Sequence, residues 1–219
     1  NENRFLNWQQ IISAGVLFLF FPPFISLLYL IGSNINKQKS TQTNYYILFA
    51  CLALYFGSIN STKYVTGDQY QYYAAYMNVP QIGFWKSLIY IYGADLLKGY
   101  QHTNISGEFM NGIYNYFGYY LTFGYYPLFA LYLTFTMYFL TFIGFYKFAK
   151  NIIKPHIPIV CGVLILSFFY LFFNYTLQIQ KQFLAQSIMM YVLGSYADIG
   201  KMTKKLWIVT LIACFTHAS

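Results

Sequence analysis

Six apolar stretches, each closed by a short polar segment, decide what this chain can become. They cover residues 11–31, 45–59, 128–146, 157–173, 182–197 and a last stretch that begins at 206. The hydrocarbon core of a bilayer is about 30 Å thick and takes about 20 helical residues to cross. Inside it every backbone N–H and C=O has to be paired within the protein, which favours helices. A soluble fold needs polar residues to cover its surface, and an average domain is about 25% charged. Here 8% of the 219 residues are charged and 58% are hydrophobic. The pattern excludes a soluble enzyme and a disordered chain. It predicts an all-α, polytopic membrane bundle, a single domain over residues 1–219 with about six spans.

Individual stretches refine that expectation. Pro22-Pro23 lies at the centre of the first one and predicts a kink or break there. The second and fifth are short, so each is expected to gain a turn from its polar flanks or to end in a water-filled cavity. The sixth holds only about a dozen residues where about 20 are needed, which predicts a fragment of a longer membrane protein. Cys51, Cys161 and Cys214 stand singly in apolar surroundings and read as small packing residues, not a disulfide framework or metal cluster.

The net charge of +8 is a matter of topology. Nucleic-acid binding needs basic residues gathered on a folded face, and here they punctuate apolar runs. Segments 33–43, 147–156 and 198–205 carry Lys37, Lys39, Lys147, Lys150, Lys154, Lys201, Lys204 and Lys205 against the single acid Asp198. The alternate segments carry Arg4, Lys63, Lys86, Lys98 and Lys181 against Glu2, Asp68, Asp95 and Glu108. Cytoplasmic loops are enriched in Lys and Arg, so the first set is expected inside, and segments 60–118 and 174–181 outside.

Segment 60–118 is too long for a simple turn, and loops of that length in compact proteins are usually functional. Phe84-Trp85, Leu88-Ile89-Tyr90 and Leu96-Leu97 recur at helical spacing with Lys86, Asp95 and Lys98 between them. This predicts a helix lying in the interface plane. A second helix is predicted over residues 109–121, with Gly124 and Pro127 bending the chain into the next span. Its dense tyrosines suit either an aromatic belt at the membrane surface or a stacking surface for sugar rings.

Ionisable groups from four distant segments fall on the outward side: Lys63 and Asp68, then Glu108, then Lys181 beside Gln182, and finally His217. Such groups at membrane depth mark functional sites, whereas at span ends they can snorkel into water at little cost. Position alone leaves both readings open.

The motifs add to this. Lys63-Tyr64-Val65-Thr66-Gly67-Asp68-Gln69-Tyr70, followed by Tyr72-Tyr73, resembles the Arg-Tyr-x-x-Gly-x-Asp…Tyr stretch of the EpsG branch of Wzy-type polysaccharide polymerases. Residues 178–185, with Lys181-Gln182 followed by Ala185, resemble that family's Arg-Gln-x-x-Ala motif at the start of a span. Thr216-His217-Ala218-Ser219 resembles its His-x-Ser helix ending, and Gly107-Glu108-Phe109 sits where the family has Glu-Pro-Gly-aromatic. Both family arginines are lysines here, which keep the charge and lose the bidentate fork. The Pro-Gly after Glu108 is absent.

The resemblance implies a bacterial inner-membrane, multi-pass polymerase with its active face outward. Such an enzyme joins polyprenyl-pyrophosphate-linked oligosaccharide repeat units, working beside a flippase and a chain-length regulator, and needs no cofactor. Lys63 and Lys181 are then the candidates to hold the pyrophosphate leaving group. Asp68, Glu108 and His217 are the candidates to take the acceptor's proton. Tyr64, Tyr70, Tyr73 and Gln182 would hold sugar. The alternative is a multi-spanning transporter or lipid-linked-glycan flippase, since broken helices suit alternating access. No metal-ligand spacing is present.

Overall fold

The computed structural model describes residues 12–13, 16, 42–91, 104–105, 109–153, 156–167, 176–177 and 179–217. Among them are eight helices and one two-residue antiparallel pairing. The helices are α1 (Gln42–Ser61), α2 (Gln69–Met77), α3 (Val79–Ile89), α4 (Phe109–Leu121), α5 (Tyr126–Ala149), α6 (His156–Ser167), α7 (Gln180–Ile199) and α8 (Lys204–Thr216). Strands β1 (Tyr90–Ile91) and β2 (Asn104–Ile105) pair with Tyr90 opposite Ile105.

Among the described residues one helix, α5, is long and apolar enough to cross a membrane. Its 24 residues extend about 36 Å at 1.5 Å per residue. Pro127 in the first turn suits a helix start, where its missing N–H costs nothing. Helices α1 and α7 each reach 20 residues by recruiting polar flanks: Gln42 to Asn44 and Asn60-Ser61 in α1, Gln180 to Gln182 and Asp198 in α7. Most of the first apolar stretch with its Pro22-Pro23 pair, and residues 168–173 of the fourth, lie outside the described residues.

Helix α5 is the central element. Helix α1 packs antiparallel to it through rings: Tyr45 against Tyr146 at 5.3 Å, Phe49 against Phe142 at 6.1 Å and Phe56 stacked on Tyr138 at 5.2 Å. Helix α7 runs parallel to α5 on another face. At Gly144 and Gly194 the two backbones touch, and a Cβ at either glycine would collide with the main chain of the other helix. Towards the helix ends the Lys147 ammonium donates to Ser195 Oγ at 3.0 Å, and Lys150 pairs with Asp198 at 2.8 Å. Parallel neighbours need a crossover, and α6 lies in it. After Gly200, in the left-handed region at φ 76°, α8 returns along α7.

The bundle therefore has two unlike ends. Lys147, Lys150 and Asp198 gather where α5 and α7 finish. At the other end α5 and α7 begin, α1 and α8 finish, and α2 and α4 pack across the bundle.

One expectation is not met. The helical spacing of residues 84–97 predicts a single continuous helix, but α3 is kinked at Gly83 (φ 72°) and stops at Ile89. Tyr90 and Ile91, both strand-favouring residues, instead turn extended and pair with Asn104 and Ile105. Residues 92–100 lie outside the described residues. Helix α4 forms over 109–121 as predicted. It lies tightly on α3, where Gly112 meets the backbone of Ser87, and Gly124 (φ 74°) reverses the chain into α5.

The α5–α7 contact sets an order of sensitivities. Gly194→Leu forces side-chain volume against main chain and should cost about 1–3 kcal/mol. Asp198→Asn removes a solvent-accessible ion pair worth about 0.2–1 kcal/mol. Thermal midpoints of the full-length protein in one detergent check this, and a larger drop for Asp198→Asn would contradict the packing described.

Candidate functional site

The segment after α1 is shaped by its backbone. The N–H groups of Thr62 and Lys63 donate to the carbonyls of Ile59 and Asn60 at 3.3 and 3.2 Å, finishing the helix. Gly67 adopts φ 57°, a left-handed conformation that side chains disfavour. The N–H of Tyr70 donates to Gly67 O, and that of Gln71 to Asp68 O, both at 3.1 Å, starting α2. Asp68 occupies the N-cap position, yet its side chain makes no capping hydrogen bond. The carboxylate is exposed. Capping is not what this residue's side chain does.

Helix α2 is strapped across the start of α5. Gln69 is buried and its amide donates to the Tyr126 hydroxyl at 3.5 Å. Tyr73 meets the Tyr126 ring edge-on at 4.9 Å, and Tyr76 stacks on Phe129 at 4.7 Å. The Tyr76 and Thr122 hydroxyls are hydrogen-bonded, tying α2 to the end of α4. On the opposite side of the strap Tyr64 is 90% exposed, and Tyr70 is partly exposed 6.4 Å from Tyr73. The sugar-stacking candidates thus divide: Tyr73 is half-buried in packing, while Tyr64 and Tyr70 present free ring area.

Lys181 joins this segment from 118 residues further along the chain. Its ammonium lies 5.9 Å from the centre of the Tyr72 ring, a cation–π distance. Gln182 beside it is exposed. His217 caps α8, its N–H donating to Ala213 O at 3.3 Å. That helix end docks on α4, with Phe215 4.5 Å from Phe109 and Thr216 hydrogen-bonded to the Tyr114 phenol. Lys63, Asp68, Tyr70, Tyr73, Lys181 and His217 therefore share one end of the bundle, in two groups. One surrounds α2, and the other lies at the α4–α8 junction. Glu108 lies outside the described residues.

Lys63 is partly buried, and burial pushes its ammonium below the ordinary lysine range. Desolvation disfavours the charged form unless an anion offsets it.

Sequence reasoning overlooked a further set of residues at the same end. Buried side-chain atoms of Asn60, Asn78, Asn115, Thr134 and Gln180 have no hydrogen-bond partner among the described residues. They come from five helices or helix ends. By contrast, the buried hydroxyls of Thr141 and Ser167 are satisfied by their own helices, donating to Met137 O and Val163 O at 2.8 and 2.7 Å. Leaving a buried amide unpaired costs about 1–3 kcal/mol, so these groups call for a polar partner. For Asn60 and Gln180 the signal lay in amide residues at the ends of apolar stretches, where they read as ordinary flanks; Asn78, Asn115 and Thr134 gave none.

No protein-family model matches the chain, and no curated protein or solved structure is significantly similar to it.

The lowered Lys63 pKa gives a test with a definite sign. Less of its ammonium survives as pH rises, so amine acylation of Lys63 should set in at lower pH than that of exposed Lys201 or Lys204. Its depressed value makes folding more favourable as pH rises through the interval below 10.5, the free-lysine value. Mass-spectrometric mapping of acylation against pH checks this. Coincident profiles would show that Lys63 is fully solvated.

Proposed function

We propose that this chain is part of a multi-pass membrane polysaccharide polymerase of the EpsG type. It would lie in the bacterial cytoplasmic membrane and act at the outer face on polyprenyl-pyrophosphate-linked oligosaccharide repeat units. The observation that carries this reading is the approach of Lys181 to Tyr72. It brings the two family-like motifs, 63–70 and 178–185, into one neighbourhood, and a shared catalytic site requires this.

The proposed chemistry uses that neighbourhood. A hydroxyl at the non-reducing end of one repeat unit attacks the anomeric carbon of the glycan held on a second lipid. The new C–O bond forms as the anomeric C–O bond to pyrophosphate breaks, and the lipid pyrophosphate leaves with the electron pair. Lys63 and Lys181 stabilise the charge growing on that leaving group. For Lys63 an anion also relieves the cost of its own desolvation. Asp68, exposed and free of capping duty, takes the acceptor's proton. Tyr64 and Tyr70 offer ring faces to the sugars, and the unpartnered amides supply hydrogen bonds to hydroxyl groups. The flippase and chain-length regulator belong to this reading as partners. Glu108 and His217 remain candidates for the base.

The lysine-rich end, where α5 and α7 finish, then faces the cytoplasm. The polar strap of α2, the α3–α4 pair and the exposed aromatics face outward.

In a strain that depends on the full-length protein for long glycan, Lys63→Ala, Asp68→Ala and Lys181→Ala should each lower polymer by about 10²–10³-fold, the loss typical of removing one charge-stabilising group. Membrane levels should be unchanged and single-repeat glycan should persist. Lys63→Arg and Lys181→Arg should retain activity, because the resemblance places arginine at both positions. Normal polymer in all three alanine variants rejects the proposal. Reconstituted protein that moves lipid-linked glycan across the bilayer without lengthening it would establish the transport reading instead.

A further inference from the structure

Three of the unpartnered side chains lie on neighbouring helices at one depth in the bundle. Helices α5 and α7 run parallel with a fixed offset: Lys147 meets Ser195, 48 residues on, and Lys150 meets Asp198 at the same separation. Carried back along both helices, that offset puts Gln180 less than one turn from the level of Thr134. Helix α1 runs the other way. A Cβ on its Gly57 would meet Leu131 O at 3.0 Å and Phe135 N at 3.5 Å, so Asn60, nearly one turn further on, lies level with the turn around Leu131. Asn60, Thr134 and Gln180 therefore fall within about 6 Å of depth at 1.5 Å per residue.

All three are turned inward, at 1%, 0% and 1% exposure. Asn60 is one turn beyond Phe56 and Gly57, which touch α5. Gln180 is one turn before Leu184, which packs in one cluster with Leu133 and Met137 of α5. Thr134 lies on the stripe between these contacts. One turn on, Tyr138 stacks on Phe56 of α1; two turns on, Thr141 lines a cavity with Phe183 and Ser187 of α7.

The Thr134 hydroxyl also turns away from its own helix. The other two threonines of α5, Thr136 and Thr141, donate to the carbonyls of Tyr132 and Met137 at 2.9 and 2.8 Å. Thr134 Oγ1 has no partner among the described residues, and neither do Asn60 Oδ1 and Nδ2 or Gln180 Oε1. Tyr138 closes the other side: its phenol runs back over the preceding turn and engages the buried Thr176.

We propose that Asn60, Thr134 and Gln180 form a buried water site that joins α1, α5 and α7. The atoms left over select the occupant. Asn60 needs an acceptor for Nδ2 and a donor for Oδ1, and water is both. An alkali cation would suit the three oxygens but repel the Asn60 N–H groups, and the start of α7 adds positive partial charge at the same level. The described carboxylates offer such an ion no countercharge, since Asp68 is exposed and Asp198 is paired with Lys150 at the far end. Hydrocarbon would leave all four atoms unmet. A buried water makes about three hydrogen bonds, so one or two molecules satisfy the set. One N–H of Asn60 suffices for this, which leaves its second for a ligand above. The N–H of Lys63 donates to Asn60 O at 3.2 Å, so the water lies about one turn inside the segment that carries Lys63 and Asp68.

The test is X-ray hydroxyl-radical footprinting of the full-length protein in nanodiscs, read by mass spectrometry. Radicals form from water in place, so a side chain beside a bound water is oxidised even when buried. Tyr138 and Phe142, one turn apart, are both 0% exposed; Tyr138 should be oxidised and Phe142 should not. Thr134→Val keeps the shape and removes the hydroxyl. It should remove most of the Tyr138 label and leave that on exposed Tyr64 and Tyr70 unchanged. Tyr138 labelled no more than Phe142 overturns the proposal, and so does a Tyr138 label that Thr134→Val leaves intact. A thermal midpoint that rises in sodium or potassium chloride over N-methylglucamine chloride, and loses that rise in Thr134→Val, would assign the site to a cation and overturn it too. None of these readouts depends on glycan synthesis or on the proposed function.

Discussion

The contact between Gly144 and Gly194 is the constraint from which the rest of the arrangement follows. With no side chain on either glycine, α5 and α7 meet backbone to backbone. This is how helices associate where apolar burial against lipid gives no driving force and close packing has to supply it. Such contact admits one register. Lys147 on Ser195 and Lys150 on Asp198 then hold it at the lysine-rich end. With that end fixed, the start of α7 is placed beside the start of α5, so Lys181 arrives next to α2. The site is assembled by helix packing more than 10 residues away from it.

The lysines have a second use as a result. In the sequence they read as an orientation signal, eight basic residues against one acid. In the structure two of them are latches between parallel helices. Lys147 also lies 4.7 Å from the Tyr191 ring and Lys150 6.0 Å from that of Tyr146. Each ammonium thus faces an aromatic ring at a cation–π distance as well as its polar partner on α7. Positive charge here fastens one helix to its neighbour through partners on that neighbour.

The helices were legible because their signal is long and local. Residues 109–121 and the bend at Gly124 could be read directly, as could the extension of α1 and α7 into polar flanks. The break after Ile89 could not, because periodicity alone does not record that Tyr90 and Ile91 have a partner near residue 105. The site was half legible. Charged residues stand out against an apolar background, so Lys63, Asp68, Lys181 and His217 were visible. Their partition between α2 and the α4–α8 junction depends on tertiary packing and was not. The unpartnered amides were invisible for another reason: Asn60 and Gln180 differ from ordinary flanking residues only in being buried, and burial is a property of the fold.

Those amides bear on the exchange of arginine for lysine that the proposed function implies. An arginine fork offers several N–H donors to a pyrophosphate in fixed geometry, whereas a lysine ammonium is a point charge with fewer directional bonds. A site built on two lysines therefore lacks donors that the fork would have supplied. At this end of the bundle, Asn60 and Asn78 carry buried amide nitrogens without partners among the described residues, whereas in Asn115 and Gln180 the unpartnered atom is the amide oxygen. Amide nitrogens are donors without charge. They can bind phosphate or sugar oxygens without placing a further cation beside the partly buried Lys63. Under the proposed function, charge from two lysines and direction from the amide nitrogens of Asn60 and Asn78 would together stand in for the donors of a pair of arginines.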